Sequence, residues 1–219
     1  MIILTWGKMA GVKQFDQNEV LDRAMMLFWS QGYEATSIDQ LVEATGINRG
    51  SLYGTFNDKN GIFLAVIDRY LETVAKSLMV TLSDPNPRQA IERMFDSIVG
   101  RLSDPKFPRG CLIVNTSLEC PASGDAIARR IAQEIGQQES AIYRVLLRAQ
   151  ADGNLAAALD IKALARFFLG VAQALNVMNK AVADPEVLKD IVRIAMRIWD
   201  DGRAVARRRS RVHQRRKLH

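Results

Sequence analysis

Apolar residues recur along this chain at spacings of three and four, and no stretch alternates with a period of two. Leu21, Ala24, Met25 and Phe28 stand at i, i+3, i+4 and i+7, the stripe of an amphipathic helix. Asp16 is placed to cap that helix and Gly32 to end it. Ser37 with Gln40 reads as a capping box, opening a short helix through Ile38, Leu41 and Val42 that stops at Gly46. Asn48 caps the next, with Leu52 and Phe56 on its inner face. Asp58 caps a long one carrying Phe63, Val66, Ile67, Tyr70 and Val74.

"SDPNP" at 83–87 and "SDPKFPRG" at 103–110 break the chain on either side of a helix through Ile91, Phe95, Ile98 and Leu102. A short helix over 112–119 ends at Pro121 and Gly124. Ile127, Ile131, Ile135, Ile142, Val145 and Leu146 then make one long helix or two nearly continuous ones. Leu164, Phe168, Val171, Leu175 and Met178 form another, and Asp184-Pro185 starts the last, with Ile191, Ile194 and Ile198. The pattern predicts an all-α protein of about nine helices without a sheet. The helices near 162–182 and 186–199 are apolar on two faces, which predicts burial on two sides. One side is the chain's own core; the other suits a partner subunit or a central place in a monomeric bundle.

A chain of 219 residues holds one large domain or a small domain joined to a larger one. No apolar run approaches the roughly 18–20 residues that span a bilayer. The N-terminus lacks a signal h-region and a cleavage site, so a cytosolic protein without membrane association is expected. Met9 opens a more usual start than Met1, which makes residues 1–8 a candidate extension. Two cysteines, Cys111 and Cys120, are too few for a disulfide framework. Both histidines, His213 and His219, fall in the last seven residues. A body without histidine has little scope for imidazole acid–base chemistry or for a His-ligated metal. No cofactor, no metal and no catalytic residue is expected. The net charge of +6 is local: residues 203–219 hold eight Lys or Arg and no acid, so residues 1–202 stand at −2. A body that binds nucleic acid must then use a few positioned cations.

"LVEATGINRGSLYGTFNDK" at 41–59 places Gly46, Asn48 and Gly50 in an otherwise helical stretch, and all three weaken helices. Two short helices joined at Gly46-Ile47 fit a helix-turn-helix, with Gly46 supplying the positive φ past a helix end. The outer side of the second helix carries Arg49, Gly50, Ser51, Tyr53, Gly54 and Thr55. No acid lies between Ile47 and Asn57. Such a surface suits a phosphate-walled groove, or else close packing against another helix.

"TSIDQLVEATGINRGSLYGTFNDKNGIF" resembles the DNA-binding region of the TetR family of bacterial transcriptional repressors. The resemblance covers residues 15–65 and rests on Gly32-Tyr33, Thr36-Ser37, Ile38, Leu41, Val42, Gly46-Ile47, Gly50-Ser51-Leu52-Tyr53, Phe56 and Lys59. It weakens beyond residue 65, where "RGCLIVNTSLE" at 109–119 looks like a segment of a subgroup of these repressors. Thr55 departs from the His or Tyr common in the family. The resemblance implies a homodimer on a palindromic operator, double-stranded DNA, released by a small-molecule effector. Its domains would be 1–60 for DNA binding (1–14 an arm), 61–202 for ligand and dimer contacts, and 203–219 a basic, mobile tail. It also implies that Ser37, Tyr53 and Lys59 hold phosphates and that Arg49, Gly50 and Ser51 face base edges. Thr36, Asn48 and Thr55 complete the candidate set.

The second domain is less specified. Phe95, Cys111, Asn115, Phe168, Gln173 and Asn176 are candidate pocket residues, polar ones to orient a ligand and aromatic ones to line it. Each also suits a helix–helix contact. Cys111 follows Arg109-Gly110 at a helix start, where positive charge favours thiolate and reactivity. Cys120 lies about 13.5 Å further on along a continuous helix, beyond disulfide reach. If Cys111 senses anything, it does so through an adduct, a sulfenic acid or another molecule; the alternative is a small buried hydrophobe. An architectural DNA binder driven by the tail and an enzyme on a helical bundle are the remaining classes.

Overall fold

The computed structural model describes residues 15–119 and 126–216, with side chains up to residue 200. Among these residues it has nine helices and no strand. They are α1 (Gln17–Gln31), α2 (Ile38–Thr45), α3 (Arg49–Phe56), α4 (Lys59–Leu82), α5 (Pro87–Leu102), α6 (Leu112–Glu119), α7 (Ala126–Ala151), α8 (Ile161–Ala181) and α9 (Pro185–Arg216). The expectations for residues 1–14, Cys120, Pro121, Gly124 and His219 fall outside the described residues.

Side-chain caps start most of them. The Asp16 carboxylate accepts from the Asn18 and Glu19 amides. Ser37 and Gln40 close the capping box in both directions. Asn48 accepts from the Ser51 amide and Asp58 from that of Gly61. Asn86 caps α5 with Pro87 in its first turn. Each cap satisfies amides that have no partner within the helix. Gly46 ends α2 at φ 74°, a left-handed conformation that glycine adopts without steric cost.

Two hydrophobic cores result. The first joins Phe28 and Trp29 of α1, Leu41 of α2, Ile47 of the turn that follows, Leu52 and Phe56 of α3, and Phe63, Ile67, Tyr70 and Leu71 of α4. Leu112 and Ile113 of α6 and Ile127 and Ile131 of α7 belong to it as well. The second gathers α5, α7, α8 and α9 around Ile91, Phe95, Leu146, Phe168 and Trp199. A division at residue 60/61 falls in the first turn of α4, and this helix runs unbroken from one core to the other.

Three features differ from the sequence pattern or complete it. The isoleucine series after residue 126 forms one helix, α7, rather than two. α8 is long and apolar enough to span a bilayer by length and composition, contrary to the expectation that no segment approaches this. Its apolarity has another cause: Leu164, Ala165, Phe168, Leu169 and Leu175 are core residues. Finally, residues 203–216 extend α9 and do not form a separate tail. Ala and Arg are strong helix formers, and no proline or glycine interrupts residues 203–216.

Candidate nucleic-acid interface and effector cavity

α2 and α3 are set at their angle by Gly46 and by the inward packing of Ile47, Leu52 and Phe56. Opposite these, Arg49, Gly50, Tyr53, Gly54 and Thr55 are exposed and Ser51 is half-buried. Among the described residues little packs against the two glycines. A Cβ at Gly54 meets nothing within 4 Å, and one at Gly50 meets only the Asn48 side-chain oxygen at 3.3 Å. Close packing against another of the described helices therefore does not explain them. Arg49 pairs with Asp39 of α2, and both side chains are well exposed. Exposed pairs of this kind contribute little, so the guanidinium is held in place yet remains available.

Ser37 and Asn48 are exposed and act as caps, their side-chain oxygens accepting from the backbone. Lys59 opens α4. Its Nζ donates to the Glu34 carbonyl at 3.3 Å and lies 4.5 Å from the centre of the Tyr33 ring. That ring packs on Phe28 and Phe63, so the ammonium is anchored to the core. Thr36 differs from the expectation: it is 1% exposed, and its hydroxyl donates to the Gly32 carbonyl at 2.6 Å. A buried hydroxyl already committed to the backbone has no free path to a phosphate. Gly61 is a positioning residue that helical periodicity does not reveal. A Cβ there would stand 1.8 Å from the Phe56 carbonyl oxygen, so the close junction of α3 and α4 requires glycine.

A cavity of about 320 Å³ opens between α4, α5, α7 and α8, a size typical of small-molecule sites. Leu78, Met94, Ile98, Ile135, Ile142 and Leu169 make its apolar wall. Cys111, Gln173 and Asn176 of the expected set line it; Phe95, Phe168 and Asn115 do not. Phe95 and Phe168 are fully buried and meet edge to face in the second core. Asn115 turns instead toward Gly110 and Arg109, its amide reaching the Arg109 carbonyl at 3.5 Å. Cys111 directly precedes α6, and its carbonyl accepts from the Asn115 amide. The Tyr70 hydroxyl donates to its Sγ at 3.2 Å. Burial pushes the Tyr70 phenol well above its ordinary value near 10, so it is a neutral donor at physiological pH.

The cavity wall touches the first core. Trp29 of α1 stacks on Phe107 at 5.8 Å, meets Tyr70 edge to face at 5.2 Å, and has the Arg101 guanidinium 5.9 Å above its ring. Nearby, the Glu119 carboxylate at the end of α6 accepts from the Tyr33 amide at 2.8 Å. Arg101, Trp29 and Glu119 were not among the expected functional residues. The partners in these contacts are 41 to 86 positions apart in the chain, so no local pattern marks them.

A three-helix unit with a bare recognition face, joined through α4 to a bundle with a cavity, defines a helix-turn-helix regulator. Comparison with known proteins gives its family. Residues 20–66 match the family described as bacterial regulatory proteins, tetR family. Residues 87–195 match the tetracyclin repressor-like C-terminal domain. The HTH-type transcriptional repressor ComR of Escherichia coli (strain K12) is 35% identical over 193 residues, covering 86% of this chain and 91% of that protein. The uncharacterized HTH-type transcriptional regulator YezE of Bacillus subtilis (strain 168) is 35% identical over 190 residues, 86% and 98%. Among solved structures, a cysteine variant of the TetR family transcriptional regulator CifR, complexed with 26 bp of double-strand operator DNA, superimposes with a TM-score of 0.80. It is 33% identical, covering 86% of this chain and 99% of that one. The chain belongs to the TetR family and is a DNA-binding transcriptional regulator; the family is one of regulators, not enzymes.

Proposed function

We propose that the protein is a cytoplasmic repressor that binds a palindromic operator as a homodimer and leaves it when a small molecule fills the cavity. The observation that carries the DNA face is the pair of unpacked glycines on α3. Gly50 and Gly54 each cost the helix about 1 kcal/mol relative to alanine, and among the described residues nothing occupies the space beside Gly54. Contact with the floor of a major groove gives that bareness a purpose. In this reading Arg49 reads a base edge, bidentate at guanine, with Gly50 and Ser51 beside it and Thr55 on the same exposed side. Ser37, Tyr53 and Lys59 hold phosphates, and Asn48 keeps the start of α3 in shape. The dimer reading rests on Phe167 and Val177 of α8 and Ile194 and Ile198 of α9. These are 39–51% exposed, while the opposite sides of the same helices form core. Selection of bound fragments from a random DNA pool tests the whole: recovery of one palindrome is expected, and recovery of unrelated sequences at equal affinity would favour the architectural alternative.

The effector reading rests on the contact of the cavity wall with α1. A ligand that moves Tyr70 or Phe107 presses on Trp29, and the Glu119–Tyr33 bond carries the displacement of α6 to the same region. Thiol chemistry is a second reading, favoured by the place of Cys111 on the cavity wall. Its test is alkylation of the native protein. Operator release by alkylation that Cys111→Ser abolishes supports it, and an inert thiol leaves reversible ligand binding as the signal.

A further inference from the structure

The cavity holds one charged residue that the DNA-binding function does not use. Arg101 of α5 lines it, and no carboxylate among the described residues pairs with it. Its protein bonds go to neutral acceptors: one terminal nitrogen donates to the Gly110 carbonyl at 3.1 Å, the other to the Asn176 side chain at 2.8 Å. A guanidinium carries five N–H groups in a planar fork. Two are engaged by these bonds, which also fix the plane of the fork. A half-buried cation placed in this way, without an anion of its own, is an incomplete pair.

Register places Arg101 at one end of the cavity. α4 and α5 are joined through 83–86 and run antiparallel, and the Ser77 and Ser97 hydroxyls meet at 3.1 Å across them. One turn onward on α5 is Arg101. It therefore lies level with the turn of α4 that precedes Ser77, where Thr73 and Tyr70 stand. Thr81 and Met94 mark the opposite end. From Tyr70 to Thr81 the wall covers three turns of α4, about 16 Å. Val74, Leu78, Ile98 and Leu169 line the span between.

We propose that this cavity takes an elongated organic monocarboxylate, with its carboxylate on Arg101 and its apolar body along α4 toward Thr81. This deepens the effector reading above and rests on it. The fork supplies bidentate recognition of a planar anion, and the remaining wall is mostly apolar. A cationic ligand would meet Arg101 with like charge, and a neutral one would leave the guanidinium unpaired.

Calorimetry with three probes of equal chain length tests this: octanoate, 1-octanol and octylamine, each titrated into the full-length protein. Octanoate is expected to bind at least about tenfold more tightly than 1-octanol, the factor that one charge-assisted bond supplies, and octylamine more weakly than either. Arg101→Met should abolish the preference for octanoate over 1-octanol, and Arg101→Lys should retain part of it. Equal binding of octanoate and 1-octanol, no binding of octanoate, or a preference that survives in Arg101→Met would each overturn the assignment. The comparison among probes within the wild-type protein does not depend on how the variants fold. Operator affinity with and without octanoate is measured separately: octanoate bound through Arg101 with unchanged operator affinity leaves the carboxylate site standing and removes the effector reading.

Discussion

Three substitutions separate what individual residues do for folding from what they do for DNA. Gly54→Ala adds a methyl into open space on an exposed helix. It should stabilise the protein by up to about 1 kcal/mol, seen in chemical denaturation, and weaken operator binding in a gel-shift titration. Opposite signs in the two measurements are the signature of a residue kept small for an external surface. Gly61→Ala should act on folding first. Its Cβ would overlap the Phe56 carbonyl, an intrusion that costs about 1–3 kcal/mol or more because backbone must move. Arg49→Ala should lose about 1–3 kcal/mol on the true site and relax preference at one base pair. An equal loss on every sequence would remove its base-reading role.

At the scale of elements, a charge-assisted bond ties α6 to the turn after α1, the Glu119 carboxylate accepting from the Tyr33 amide. Glu119→Gln should cost roughly 1–2 kcal/mol in thermal unfolding and blunt the response of operator affinity to ligand, since α6 then moves with less effect on the DNA-binding unit. On α4, Tyr70 introduces an alkaline limit. Its folded pKa is raised by burial, so the unfolded chain loses this proton first as pH climbs. Stability is therefore unaffected below pH 10 and falls above it. Denaturation of the wild type and of Tyr70→Phe across that range should differ in slope, the variant being the less pH-sensitive.

At the scale of the molecule, an apolar face shared by α8 and α9 predicts the assembly. Val177→Asp together with Ile194→Asp should give a monomer by light scattering while the helical content is kept. Such a monomer should bind its operator far more weakly, because two recognition helices can no longer meet half-sites about 34–36 Å apart, or a multiple of that spacing. Removal of residues 203–219 should leave sequence preference unchanged and lower affinity by a salt-dependent amount, since eight cations attract phosphate without reading bases.

Caps, stripes and turns were legible in the chain because the interactions that make them span four residues or fewer. Asp16, Ser37 with Gln40, Asn48 and Asp58 all start helices where their side chains reach the first free amides. The exposed face of α3 was legible for the same reason: helical periodicity alone separates Leu52 and Phe56 from Arg49, Tyr53 and Thr55. What the tertiary structure decided is whatever depends on residues far apart in the chain. It buried Thr36 to 1% exposure although its hydroxyl's own bond is local, and it drew Phe95 and Phe168 into the core and away from the cavity. It also left the space beside Gly54 clear of the other described residues, and it brought Arg101 over Trp29 and Glu119 to Tyr33. Local pattern determines which side of each helix is apolar. Only packing determines which of those apolar sides meet, and hence where they fail to close and leave a cavity with Arg101 at its end.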